Sequence, residues 1–521
     1  MDKNIFREYD IRGVYPSQIN EEVAYTVGRS YGSYIQEKLK RDICGVGMDN
    51  RLSSPQLHEN LIKGLTDSGC NVIDFGLVTT PMYYYGCLKA NVIIGVMVTA
   101  SHNPKDDNGF KFSFDHLGNA RGEQIYDFRD YTFAGKFLSG KGTVTEFDPR
   151  GYYKSFIKEN IDMGNRKLKI VLDCGNGTTS LYAKDIYSQF PNLDITMICD
   201  ESDPYFPNHH PDPAVAANNR MLQDKVLEIK ADIGIGFDGD GDRVGFVNEL
   251  GEIVPIDQAM IIYIRYINDQ VKNKSYLFDV KCSKALEDEI LKLGATPICY
   301  RTGNSWTRYK VNKEKYAFGG EYSGHMYFTD KWPGLDSGLY NGLRMLEVLS
   351  HSDKSFSHLL EGINHYFSTP EIKVKVTDDC KFEIVKDVLE YVKSKNYKFI
   401  DIDGVRVQFE DGWALVRASN TGPNLTIRFE AKDENRLKEI QEEFENVINE
   451  EYLCQRVHLF HQLNHHHTFA NICMILHKKF VWCNEQAKLL YLYSSILFLN
   501  MFYYYIMHLY ILALLLYQRK F

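Results

Sequence analysis

Asp238-Gly239-Asp240-Gly241-Asp242-Arg243 sets three carboxylates two residues apart on a glycine-bearing turn. Alternate aspartates on such a turn converge on one hard cation, and their mutual repulsion calls for something positive between them. Glycine at 239 and 241 permits backbone angles that a side chain forbids. Counted from Asp238, Glu249 stands at the position where a calcium-binding helix-loop-helix carries its bidentate glutamate. Arg243, however, stands where that loop needs its turn glycine, and the flanks Ile233 to Phe237 and Val244 to Val247 read as short strands rather than helices. A strand-turn-strand carboxylate site suits magnesium and a phosphate-bearing substrate better, with calcium still open.

A second chemical stretch, Thr99-Ala100-Ser101-His102-Asn103-Pro104, follows the apolar run Val92 to Val98 and continues to Asn108-Gly109-Phe110-Lys111. A serine on a strand-to-loop turn is placed like a nucleophile, and His102 and Lys111 are candidates to move its proton or hold a phosphate. Pro104 keeps the loop from starting a helix early. Taken alone, the same residues also read as a Ser or Asx turn.

The elements that must position these loops are legible as a pattern. From about residue 40 to about 300, apolar β-branched runs, glycine turns and helical stretches alternate, which implies α/β units with their binding loops after the strands. Three such units suggest related domains in tandem, with boundaries near residues 150, 252 and 368. A fourth segment, 369–450, reads as α+β: strand-like Ala414 to Arg417 and Leu425 to Phe429 precede a charged amphipathic helix from Glu434 to Val447.

At 521 residues the chain is long enough for several cores, and its net charge of −9 argues against a nucleic-acid-coating protein. Eleven cysteines, scattered in apolar runs without a Cys-x-x-Cys pair, fit reduced thiols in a cytoplasmic protein better than disulfides or a zinc site. No signal peptide precedes Met1-Asp-Lys-Asn.

Together, the serine loop and the aspartate turn closely resemble the α-D-phosphohexomutase superfamily over roughly residues 4 to 450. The segment Phe6-Arg-Glu-Tyr-Asp-Ile-Arg-Gly13 is similar to the phosphomannomutase/phosphoglucomutase branch. The resemblance implies three tandem mixed α/β domains (1–150, 151–252, 253–368) and a fourth α+β phosphate-binding domain (369–450) around a central cleft. It implies a Ser101 that is phosphorylated at rest, magnesium held by Asp238, Asp240 and Asp242 against that phosphoserine, and Arg243 touching the phosphoryl group. Tyr9 and Arg12 would border the serine. Gly320-Glu321-Tyr-Ser323-Gly-His325 resembles the sugar-recognition loop, with Glu321 and Ser323 reading neighbouring hydroxyls and His325 beside them. Lys281 matches a lysine near the ligand phosphate, and Asn304 stands where that branch usually has histidine. Arg417-Ala-Ser419-Asn420-Thr421-Gly422-Pro-Asn424 looks like the phosphate-binding loop, with Gly422 replacing a residue that is often threonine.

These resemblances imply reversible interconversion of hexose 6-phosphate and hexose 1-phosphate, of mannose, glucose or both, through a hexose 1,6-bisphosphate. Lys111 and His102 are the candidates for general acid/base work, with Arg243 a lesser one. A phosphoglucosamine mutase or a hexose-bisphosphate phosphatase is the enzymatic alternative, and a phosphosugar-binding sensor the non-enzymatic one. Monomer and dimer are equally open. Residues 451–521 have no counterpart in the family: His458, His461 and His465 to His467 precede an uncharged run from Leu489 to Tyr517. That run exceeds the roughly 20 residues needed to cross a bilayer, so it reads either as a membrane anchor or as an extension the mutase does not need.

Overall fold

A computed structural model describes residues 1–377, 380–419 and 422–463, with side chains to residue 449. The chain divides into two compact units, Met1–Val447 and Ile448–Phe521. Leu489 to Tyr517 and His465 to His467 lie outside the described residues. Among those described, no helix is long and apolar enough to cross a membrane.

Among the described residues the first unit carries four sheets, and three of them repeat one plan. In the first, Ile43–Met48 lies between parallel neighbours Asn71–Leu77 and Gly95–Val98, and Gly95–Val98 then turns back antiparallel into Asp107–Ser113. In the second, Leu168–Asp173 lies between parallel Leu193–Ile198 and Ile233–Phe237, and the latter turns back into Val244–Asn248. The third places Ser275–Asp279 between parallel Thr296–Tyr300 and Phe318–Gly320, with Met326–Phe328 returning antiparallel. The turn of this final hairpin carries, in order, Ser101, the three aspartates, and Glu321 with Ser323. Three loops of different chemistry thus occupy one topological position, which is the tandem relationship the sequence suggests.

The fourth sheet is antiparallel throughout: Phe367–Ser368 and Ile372–Lys375 both pair with Asn424–Ala431, followed by Gly412–Ala418, Val405–Gln408 and Lys398–Ile400. Helix Lys381–Ser394 packs on it. Glu434 opens the last helix as expected, and the helix runs on to Leu463.

One continuous core, through Tyr83, Ile170, Ile235, Tyr263, Phe318, Phe328 and Leu343, connects the first three sheets. At its centre lies helix Gly338–Ser350, buried along its whole length. Its sequence, GLYNGLRMLEVLS, is apolar apart from Asn341, Arg344, Glu347 and Ser350, which suits a helix buried on every face. Arg344 reaches Asp330 at 2.7 Å, so its buried charge has a partner.

Candidate active site

The aspartate turn is a hairpin between two fully buried strands. Gly241 adopts φ +78, a left-handed angle suited to glycine, and a Cβ there would meet Thr179 at 2.6 Å. Asp238 closes the turn itself, its Oδ1 accepting from the Gly241 and Arg243 amides at 3.1 and 3.0 Å. Glu249 is engaged elsewhere, accepting from the Ser357 amide and hydroxyl. With strands on both flanks and the glutamate turned away, the calcium helix-loop-helix reading is excluded.

Two helices begin on this turn. Thr80, opening helix Thr80–Lys89, donates its amide to Asp240 O and its hydroxyl to Asp240 Oδ2. Gly338, opening the central helix, donates its amide to Gly241 O at 2.9 Å. Helix N-termini carry partial positive charge, so both favour the aspartates. Carboxylate oxygens of Asp238, Asp240 and Asp242 lie within 4.8 Å of one another, and all three residues are buried.

Lys111 supplies the nearest cation. It lies in Asp107–Ser113, opposite Met97 in register, and its Nζ donates to Asp240 Oδ2 at 2.8 Å and Asp242 Oδ2 at 2.6 Å. Burial works to lower its pKa, but the two carboxylates raise it well above the ordinary lysine value, so Lys111 is an ammonium here. Burial and the Asp242 and Asp240 charges push the Asp238 carboxyl well above the usual range. Asp240 Oδ1 and Asp242 Oδ1 are buried without a hydrogen-bond partner. An all-oxygen donor set with unpaired acceptors fits a hard divalent cation such as magnesium.

Ser101 arrives from the first sheet onto this turn. Its hydroxyl lies 3.2 Å from Asp238 Oδ2 and 3.3 Å from His102 Nδ1, and its backbone sits at φ +54. A serine held in the left-handed region costs roughly 1–3 kcal/mol, which the surroundings must offset. Arg51 does much of this, donating to the carbonyls of Ser101, Asn103, Pro104 and Asp107 at 2.6–3.0 Å while itself buried. Arg12 adds contacts to Ala100 O and Asn103 Oδ1. Burial, together with the Arg243 and Arg12 charges, lowers the His102 pKa well below the ordinary value, leaving a neutral imidazole beside the hydroxyl.

His325 belongs to the aspartate turn as much as to the sugar loop. Its Nε2 accepts from Arg243 Nε at 3.0 Å, so Nδ1 carries the hydrogen and donates to Asp336 at 3.1 Å. Asp336 thus orients Arg243 through His325. Glu321 and Ser323 face one another at 3.3 Å, and Glu321 also accepts from the Gly303 amide and the Thr307 hydroxyl. Asn304 opens helix Asn304–Glu314 and accepts the Tyr327 hydroxyl on its backbone carbonyl.

The phosphate-loop candidates cluster at the third and fourth sheets. Arg417 grips Asp403 with Nε and Nη2 at 3.0 and 3.2 Å, and Asp403 also accepts the Thr302 amide. Lys281 contacts Glu371 at 3.2 Å and lies 3.9 Å from Asp279. Ser419 accepts Lys381 Nζ on its carbonyl. The Tyr9 hydroxyl reaches Thr302 O at 3.1 Å, so Tyr9 joins the first sheet to the third. Asn420 and Thr421 lie outside the described residues. The sequence reading missed Arg51, Asp336, Thr80 and Asp403. Arg51, just beyond the run Ile43–Met48, offered the one usable signal, an arginine placed after a buried strand where loops gather.

Family profiles for phosphoglucomutase/phosphomannomutase match the chain in order: alpha/beta/alpha domain I at residues 3–136, domain II at 151–251, domain III at 255–366 and the C-terminal domain at 371–447. The chain belongs to the phosphoglucomutase/phosphomannomutase family. A phosphomannomutase/phosphoglucomutase of Pseudomonas syringae pv. tomato is 42% identical over 442 residues, covering 84% of this chain and 93% of that protein. A phosphoglucomutase of Neisseria gonorrhoeae is 36% identical, covering 86% and 97%. Among solved structures, a phosphoglucomutase/phosphomannomutase family protein from Burkholderia thailandensis superposes with a TM-score of 0.81 at 33% identity, covering 87% of this chain and 98% of that one. Membership makes this protein an α/β phosphohexomutase and an enzyme of the isomerase class.

Proposed function

We propose that this family member interconverts hexose 6-phosphate and hexose 1-phosphate, with mannose, glucose or both as the hexose, through a phosphorylated Ser101. One observation carries the reading: Ser101 Oγ lies 3.2 Å from Asp238, across 137 residues of sequence, so nucleophile and carboxylate turn form one site. The names of the relatives support the substrate class.

In this reading Ser101 passes its phosphoryl group to the free hydroxyl of the bound sugar, giving a hexose 1,6-bisphosphate. The bisphosphate turns round, and its other phosphate returns to Ser101. His102, neutral and beside the hydroxyl, takes or returns the proton at Oγ. Lys111 is less suited to that work while it neutralises two aspartates. Asp238, Asp240 and Asp242 would hold magnesium, which would supply charge neutralisation to the transferring group. Arg243, braced by His325 and Asp336, presents its guanidinium toward the same group. Glu321 and Ser323 take the sugar hydroxyls, while Arg417, Ser419, Asn420, Thr421 and Lys281 take the distal phosphate and Tyr9 and Asn304 border it. The cysteines buried among the described residues are free thiols, which supports a cytoplasmic setting.

Ser101→Ala is expected to lower interconversion by more than about 10³-fold, even when primed with hexose 1,6-bisphosphate. Near-normal turnover of both mannose 1-phosphate and glucose 1-phosphate by that variant would refute the reading.

A further inference from the structure

A second cluster of metal-ligating side chains lies in the second sheet, away from the three aspartates. Asp173 ends Leu168–Asp173, and Cys199 follows the parallel neighbour Leu193–Ile198, which brings the two side by side. His209 folds over them from the loop beyond. One donor atom from each, an oxygen, a sulfur and a nitrogen, lies within 4.8 Å of the others. Asp173 and Cys199 are buried and His209 nearly so.

The histidine's orientation is the independent clue. Its Nδ1 lies 3.0 Å from the backbone carbonyl of His210, which can only accept, so the hydrogen sits on Nδ1. Nε2 therefore faces Asp173 Oδ1 and Oδ2, at 3.1 and 3.0 Å, with the Cys199 sulfur alongside. In the metal-free chain a proton on Nε2 holds the point between them, which makes His209 and Asp173 an ion pair, and a metal ion would take that proton's place. A ring whose Nδ1–H is anchored to a carbonyl while Nε2 points into a carboxylate and thiol is the arrangement that outer-shell contacts impose on a metal-binding histidine. The carboxylate is held likewise, Oδ1 also accepting the Gly175 amide at 3.0 Å. Cys199 adopts φ +48, and the Asn176 amide, donating to its carbonyl, helps keep it there.

We infer that Asp173, Cys199 and His209 bind a borderline-soft divalent cation of the zinc class, with water to complete four-coordination, apart from the catalytic turn. Mixed oxygen, nitrogen and sulfur donors select zinc over magnesium, which prefers oxygen alone. As the metal–sulfur bond forms, the thiol proton, with any proton on Nε2, passes to solvent. The metal ties the loop carrying His209 to the Asp173–Gly177 turn. That turn in turn supports the catalytic one, because the Thr178 amide donates to Gly239 O at 2.9 Å. Among the described residues the His58–Asp74 pair, at 2.9 Å, belongs to no such cluster.

The test uses the full chain, stripped with chelator and titrated with cobalt(II) and then zinc. A thiolate-to-cobalt charge-transfer band is expected in the wild type and in Asp240→Asn, and is lost in Cys199→Ser. His209→Gln is expected to weaken zinc binding at least about tenfold. If those variants do not fold, the wild type decides alone: zinc, but not magnesium, slows alkylation of the thiol that peptide mapping identifies as Cys199. Absence of the band from folded wild type, its survival in Cys199→Ser, or equal alkylation with and without zinc would each overturn the site.

Discussion

Lys111 occupies the side of the aspartate turn that a cation would neutralise, and this sets the chemistry of the site residue by residue. Its ammonium touches one oxygen of Asp240 and one of Asp242, while the other oxygen of each has no hydrogen-bond partner. Lysine and a divalent ion thus divide the same carboxylates. Removing the lysine strands buried charge, so Lys111→Met is expected to lose about 3–5 kcal/mol of metal-free stability. Magnesium should recover more of that stability in the variant than it adds to the wild type, read by denaturant unfolding with and without the ion. Equal magnesium effects would show that lysine and ion do not share ligands. Ser101, Asp238, Asp240 and Asp242 were legible in the sequence because their types are chemical. Arg51 and Asp336 were not, since an arginine bound to carbonyls and an aspartate bound to a histidine act through contacts that folding alone creates.

Helix starts and hairpin turns determine how these residues meet. A Cβ on Gly338 would lie 2.5 Å from Arg243 O, a backbone atom that cannot step aside. Gly338→Ala is therefore expected to displace the aspartate turn and lower kcat by about 10²-fold while the chain stays folded. Steady-state kinetics beside a circular dichroism spectrum would check it, and unchanged kcat would show the contact to be soft. Elsewhere, helices Ile256–Ile267 and Lys284–Lys292 are joined by Arg265 and Glu289 at 2.8 Å. Burial works to raise the Glu289 pKa, but Arg265 and Lys292 hold it below the ordinary value. A depressed carboxyl stabilises above its unfolded pKa, about 4.3, and that stability is lost as pH falls through the lower folded value. Glu289→Gln should narrow the gap between neutral and acid stability, measured by urea unfolding from pH 7 to pH 3. An unchanged gap would remove Glu289 from the acid response. The α/β class was legible because apolar β-branched runs alternate with helical stretches. That each chemical loop is the same hairpin turn was hidden, because strands as short as Phe318–Gly320 and Met326–Phe328 are too brief to announce a period.

At the scale of the molecule, cross-sheet ties hold the site together. Asp403 accepts both Arg417 and the Thr302 amide, linking the phosphate loop to the third sheet, while Tyr9 links that same Thr302 to the first. Asp403→Asn should loosen the phosphate loop without touching the serine, raising KM about tenfold with little change in kcat. A fall in kcat instead would mean the tie aligns the reacting groups. Such ties were invisible in the sequence, where Asp403 is one acidic residue of a turn, because partners about a hundred residues apart leave no local pattern.

The contact between Ser101 and Asp238 also bears on how the chain acquires activity. Each sheet can form from its own stretch of sequence, but the nucleophile meets its carboxylates only when the first and second have docked. Long-range assembly of this kind comes late in the folding of large chains. During refolding, helical signal should therefore return before turnover does, and a nick between the two loops should silence catalysis while leaving much of the secondary structure in place.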